Sequence, residues 1–203
     1  MFKDINLTVN NLEVYIQTGN EWKVSIEGEQ NIAHQLLITV SKGVLLVHCS
    51  NGLTLLSNTP VRMYITTPAF GRLINHSNSY VLVTDPLETD SASIVNKGSG
   101  QVTLSICARL LEVYNGDAGK VVIRGHAKTI RCTSLGSGQI DAVNLKTEKL
   151  FINLNGSGNV QFYCSKILVG LISGTGDVYC SGSPQKINLK RVGKGFLIQN
   201  QYC

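Results

Sequence analysis

Serine sits between two glycines at Gly98-Ser99-Gly100, Gly136-Ser137-Gly138 and Gly156-Ser157-Gly158, and the same turn recurs as Gly174-Thr175-Gly176 and Gly193-Lys194-Gly195. Such small-residue turns can cradle a phosphate or expose a serine nucleophile. A phosphate loop needs Gly-x-x-x-x-Gly-Lys-Ser/Thr ahead of a helix, whose first amides hold the anion. Here every turn opens a strand-like run instead. A serine elbow needs Gly-x-Ser-x-Gly with a histidine and an acid in reach. Neither pattern is complete, and repeated copies of one catalytic loop serve no reaction, so the turns read as structure.

The other reactive side chains do not assemble into a site either. Asp117, Asp141 and Asp177 lie near successive turns, where stacked acids would suit glycan cleavage. Asp177 directly follows its glycine, Asp141 lies two places further along, and Asp117 precedes its glycine, so they form no column for acid and base work. His34, His48, His76 and His126 lack metal-ligand spacing, and none of the six cysteines falls in a Cys-x-x-Cys unit. No enzyme, metal or cofactor is expected. Cys132 and Cys180 occupy repeat positions otherwise held by aliphatic or aromatic residues and read as buried packing thiols. Cys107 and Cys164 both follow the first strand of their coils, where adjoining turns could bring thiols together, so a disulfide there is the alternative to reduced cysteines.

One polar row keeps the period. Gln101, Lys120, Gln139, Asn159 and Asp177 each stand directly after the second glycine of a turn. They form either an amide ladder bonded along the stack or a flat polar face that binds a glycan or a protein partner. Aromatic residues, at 6 %, are too few for the stacking platforms of single-strand nucleic-acid sites. Lys and Arg are scattered, with Lys190-Arg191 the only adjacent pair, so the formal charge of +5 does not point to nucleic acid.

What would position that row is an internal repeat. Gly100, Gly119, Gly138, Gly158, Gly176 and Gly195 are separated by 19, 19, 20, 18 and 19 residues. Ala92, Leu111, Ile130, Leu150, Leu168 and Ile187 precede them, and Val102, Val121, Ile140, Val160, Val178 and Leu197 follow, at matching offsets. A repeat this short buries nothing until it stacks. The expected fold is all-β: a single-domain parallel β-helix, or β-solenoid, with about 19 residues per coil and two strands per coil. Coils at residues 71–203 follow N-terminal capping strands at 1–70. Ser77-Asn78-Ser79 marks a degenerate first turn, with Leu73 in the column of Ile94. Earlier strands are expected at Leu12 to Gln17, Trp22 to Glu27, Leu36 to Val40, Val44 to Cys49 and Val61 to Thr66. Hairpin turns at Thr18-Gly19-Asn20 and Ser41-Lys42-Gly43 imply antiparallel pairing in this cap. Glycine is expected in the turns, at Gly98, Gly100, Gly119, Gly136, Gly138, Gly156, Gly158, Gly174, Gly176, Gly193 and Gly195, for positive φ or for close backbone approach.

These residues resemble a bacterial family, the putative auto-transporter adhesins with a head GIN domain. The likeness rests on Phe2-Lys3-Asp4-Ile5, on the segment from Val14 to Gly19, on Val24-Ser25-Ile26-Glu27-Gly28, on Pro60 to Pro68, and on the recurring Gly-Ser-Gly turns. It implies a secreted or envelope-attached parallel β-helix with an adhesive role. No apolar run reaches the ~18 residues of a transmembrane helix, and Met1-Phe2-Lys3-Asp4 does not read as a secretion leader. The expected function is thus a non-catalytic surface-interaction scaffold at the cell envelope or outside it. A glycan-binding module is the first alternative. An intracellular β-solenoid that self-assembles through an uncovered final coil is the second.

Overall fold

Each apolar column that the period defines is a run of hydrogen-bonded neighbours. Ala92, Leu111, Ile130, Leu150, Leu168 and Ile187 are successive partners in parallel register. So are Val102, Val121, Ile140, Val160, Val178 and Leu197. The computed structural model, which describes residues 1–50 and 60–200, is therefore a β-solenoid of about seven turns with about 19 residues per coil.

In chain order the N-terminal elements are β1 (Asp4–Leu7), β2 (Leu12–Thr18), β3 (Lys23–Glu27), the short helix α1 (Gln30–Ala33), β4 (Leu36–Ser41), β5 (Val44–Cys49) and β6 (Val61–Thr67). The stack continues with β7 (Arg72–Asn75), β8 (Tyr80–Val83), β9 (Leu87–Asn96), β10 (Gln101–Asn115), β11 (Lys120–Ser134), β12 (Gln139–Ala142) and β13 (Leu145–Leu154). It closes with β14 (Val160–Tyr163), β15 (Ile167–Ile172), β16 (Val178–Ser181), β17 (Lys186–Arg191) and β18 (Leu197–Asn200).

The antiparallel reading of the first fifty residues needs correction. β1 pairs in parallel with β5 and β7, and β2 pairs in parallel with β6 and β8, so both already belong to the coil stack. Antiparallel pairing is confined to the outer strands, β3 on β6 and β4 on β5. Thr18-Gly19-Asn20 is no hairpin turn, because β6 lies between β2 and β3. Alternating burial signals a strand with one face inward but not the direction of its neighbour, which is why the sequence left this open. Ser41-Lys42-Gly43 does turn a hairpin. Ser41 pairs with Val44, and the two residues between them have φ of 50° and 77°, the positive values that a tight two-residue hairpin needs.

Two strands per coil holds for β8 and β9, β12 and β13, β14 and β15, and β16 and β17, whereas in the coils between β9 and β12 the two are joined around a short third side. β10 and β11 run unbroken for 15 residues each. Their inward residues alternate from Val102 to Ala108, then the alternation slips at Arg109 and Leu110 before resuming at Leu111. The slip is a corner. Ile106 to Ala108 and their partners Gly125 to Ala127 and Leu145 to Thr147 form a short third side between the two longer ones.

Columns share their volume between rungs. Phe162, fully buried and the largest such side chain, lies between Ala142 and Cys180 in register. Small neighbours above and below give the ring its room, so Cys180 is there for its size. A second column is polar. Asn75, Asn96 and Asn115 are successive partners with no exposed surface. Asn75 Nδ2 donates to Asn96 Oδ1 at 3.1 Å, and Asn96 Nδ2 donates to Asn115 Oδ1 at 3.2 Å. Asn96 and Asn115 also donate to the carbonyls of Gly100 and Gly119, at 3.0 and 2.8 Å, tying each strand end to the turn that follows it. Further along, Ser134, Leu154 and Ile172 hold the same position. Asn96→Ala is expected to cost about 1 to 3 kcal/mol in a urea melt, because it leaves Asn115 Oδ1 buried without its donor.

Candidate functional site

The polar row lies one residue past each turn, on the outer surface of one long side. Gln101, Lys120 and Gln139 are partners in register, and Asn159 and Asp177 continue the row. The five differ in what their side chains do. Gln101 Nε2 donates to Thr103 Oγ1 at 3.0 Å within its own strand. Asn159 Oδ1 accepts the amide of Asp177 at 2.9 Å, and Asp177 Oδ1 accepts the amide of Phe196 at 2.8 Å. The lower row thus ties coil to coil through backbone amides, while Lys120 and Gln139 are exposed. The ladder of amide bonded to amide stands elsewhere, in the buried column of Asn75, Asn96 and Asn115. Its signal was present in the spacing of those asparagines, which keep the turn period.

Beside the row runs a shallow groove of about 560 Å³ along the turns, lined by Ser137, Ser157, Thr175 and Lys194 among others. It offers hydroxyls and one ammonium from successive coils. The turn glycines are packed for closeness: the amide of Gly138 donates to the carbonyl of Asp117 at 2.9 Å and that of Gly158 to Gly136 at 3.2 Å. None of the eleven expected turn glycines has a positive φ, so of the two reasons for glycine only close approach applies.

The acids and histidines stay apart. Asp117 is exposed at a turn, Asp141 is half-buried and accepts the amide of Val143 at 3.4 Å, and Asp177 is engaged as described. His126 lies on the short side between Cys107 and Lys146 of neighbouring coils. Burial, aided by Lys97, pushes the His76 imidazole below its ordinary pKa. Among the described residues no three His, Cys, Asp or Glu side chains converge as a metal site.

Cys49, Cys107, Cys132, Cys164 and Cys180 are free thiols, and Cys203 lies outside the described residues. Cys107 and Cys164 do not pair: Cys107 points outward on the short side, while Cys164 is fully buried. Burial pushes the Cys180 thiol up to about 11 and raises Cys132 and Cys164 as well. In the native protein a maleimide is expected to label Cys107 rapidly and Cys132, Cys164 and Cys180 only after unfolding, as read by peptide mass spectrometry. Fast labelling of Cys132 in buffer would contradict its inward placement.

A family model described as putative auto-transporter adhesin, head GIN domain, matches residues 1–184. The chain belongs to that family. Similar solved structures include a putative adhesin from Bacteroides fragilis, 23 % identical, with a TM-score of 0.92 over 98 % of this chain and 92 % of that one. A putative adhesin from Parabacteroides distasonis is 17 % identical, with a TM-score of 0.77 over 98 % and 92 % of the two chains. A putative lipid binding protein from the same organism is 17 % identical, with a TM-score of 0.76 over 97 % and 92 %. At these identities the likeness is one of fold. No curated protein matches the head GIN chain. Among the described residues no helix is long and apolar enough to cross a membrane.

Proposed function

We propose that this head GIN protein is a non-catalytic surface-interaction scaffold, secreted or held at the bacterial cell envelope, that presents outward side chains in fixed columns to a glycan or protein. The observation that carries the reading is the in-register stack. It repeats Gln101, Lys120, Gln139, Asn159 and Asp177, and the turn hydroxyls beside them, at one strand spacing per coil, about 4.8 Å. A rigid repeated surface of this kind suits a repetitive ligand through many weak contacts. Family membership and the adhesin names of the structural relatives favour the same role.

Two measurements test it. Antibodies raised against the purified chain are expected to label intact cells of the bacterium that makes it, and labelling only after lysis would place it inside and end the reading. On a broad array of bacterial and host glycans and envelope proteins, retention is expected for at least one repetitive ligand. A Lys120→Ala/Gln139→Ala variant, both residues being exposed, should then bind it more weakly at unchanged stability.

A further inference from the structure

The charges of this chain are not evenly spread. Residues 1–96 hold 5 Lys or Arg and 8 Asp or Glu, whereas residues 97–203 hold 13 and 5. From β7 onward sequence order is also the order of coils, so the excess of cations lies along the later part of the stack. Within it, one line of side chains stands out, at the corner where the short side meets the second long side.

There, five successive coils each contribute a cation. Arg109 and Lys128 stand on the slip in alternation that makes the corner, both exposed. The next coil places Lys146 and Lys149 on either side of Glu148, then Lys166 follows, and Lys186 closes the line. The strand register sets them in two adjoining columns: Lys149 and Lys186 share one with Thr129 and Ile167, and Arg109, Lys128 and Lys166 each stand one residue before it. Thr129 pairs with Lys149, Lys149 with Ile167 and Ile167 with Lys186, and the amide of Lys186 donates to the carbonyl of Lys166 at 2.9 Å. Four steps of about 4.8 Å make the line about 20 Å long.

Few acids offset it. Asp90 lies 3.8 Å from Arg109, Glu112 lies 3.4 Å from the neighbouring Arg131, and Glu148 holds Lys166 at 2.9 Å. The hydrogen bond from Lys166 keeps the Glu148 carboxyl below its usual range, and Lys128 and His126 add to the effect. Among the described residues neither Lys128 nor Lys149 makes an ion pair. At the upper end of the line Arg109, Lys128 and Arg131 line a surface groove of about 500 Å³ together with Asp90, Leu110 and Thr129.

We infer that this corner is a binding edge for a linear acidic polysaccharide, whose carboxylate or sulfate groups follow the cations from coil to coil. A line of like charges with low-dielectric walls concentrates a polyanion and is screened by salt. The shape favours a chain over a bilayer. The cations run along the rod axis instead of ringing a plane, and on the adjoining side Ile167, Val169 and Leu171 are only half-buried, with Phe151 the one exposed apolar side chain among them. The choice of a saccharide rests on the surface-interaction reading above; the cationic line itself does not.

The probes are immobilised polygalacturonate and dextran sulfate, with neutral dextran as control, and the full chain is passed over each at low and physiological salt. Retention on both acidic polymers but not on dextran is expected, falling as salt rises. Lys128→Glu/Lys149→Glu is expected to weaken it about tenfold or more, while Lys42→Glu/Lys97→Glu, equal in net charge but off the corner, changes it less than about twofold. Circular dichroism melts of both variants show that each is folded. Equal losses in the two variants, or no retention at all, would overturn the inference. So would binding to phosphatidylglycerol vesicles, or to duplex DNA, tighter than to either polysaccharide. If the acidic polymers fail while a neutral glycan or an envelope protein is retained, the corner is refuted and the scaffold reading stands; cell labelling only after lysis removes the scaffold reading while leaving a measured polyanion affinity intact.

Discussion

Gly158→Val is expected to lower the free energy of unfolding by about 3 kcal/mol or more, read from urea melts followed by circular dichroism. A Cβ built on Gly158 falls onto the carbonyl oxygen of Gly138, one coil away, and close to Gly138 C and Ser137 O. All of these atoms are backbone, and those of Gly138 are fixed by the hydrogen bonds that hold successive turns together. No side-chain rotation relieves the clash, so the coils must part. Parting them breaks the ladder on both long sides, because the same rise sets every column. Ser157, exposed in the same turn, supplies the control: Ser157→Ala is expected to shift stability by less than about 0.5 kcal/mol. An unchanged midpoint for the valine variant would mean that the turns do not stack as closely as described.

That prediction also shows where the sequence could be read and where it could not. The 19-residue period placed both aliphatic columns, the buried positions of Cys132 and Cys180 and the partnership of Leu73 with Ile94, because identical side-chain chemistry at fixed spacing has one economical explanation, in-register stacking. Glycine in the turns was legible too, but not its cause: spacing says that a Cβ is excluded, and only the neighbouring coil says whether by φ or by a carbonyl above it. The first seventy residues were less legible. β1 and β2 carry the same alternation as any half-buried strand, and their parallel partners lie far away in sequence, up to Tyr80 to Val83 for β2. The third side was hidden for a related reason. A continuous strand that bends leaves no turn residue behind, only the two outward neighbours Arg109 and Leu110.

The candidate site was legible in outline. Gln101, Lys120 and Gln139 were placed in one row by counting, and they are in one row. What counting does not give is whether a polar side chain faces a ligand or its own backbone, and Asn159 and Asp177 turn out to accept amides from the next coil. The cationic corner escaped for a different reason. Its members, Arg109, Lys128, Lys149, Lys166 and Lys186, do not share one offset from the turn glycine, because coil lengths vary between 18 and 20 residues and the corner absorbs the difference. Only the register between strands brings them into two adjoining columns.

The same register makes Leu150 the sharpest probe of the core. Leu150→Ala is expected to cost about 4 kcal/mol, within the range of ~2 to 5 kcal/mol for a buried leucine whose surroundings collapse little. Leu150 has no exposed surface and lies between Ile130 and Leu168 in its column. Those neighbours are held at one strand spacing by the backbone ladder, so they cannot slide together to fill the space that three lost carbons leave. Ile187 belongs to the same column, yet it is 41 % exposed, and among the described residues no strand pairs with the far side of β17. Ile187→Ala is therefore expected to cost less than about 1 kcal/mol. The contrast separates two accounts of stability. If column identity alone mattered, the two alanines would cost alike. If burial between coils matters, the difference between them is at least about 2 kcal/mol, and paired urea melts measure it directly. Similar losses from both would mean either that Leu150 is not enclosed by its neighbours or that Ile187 is covered in solution.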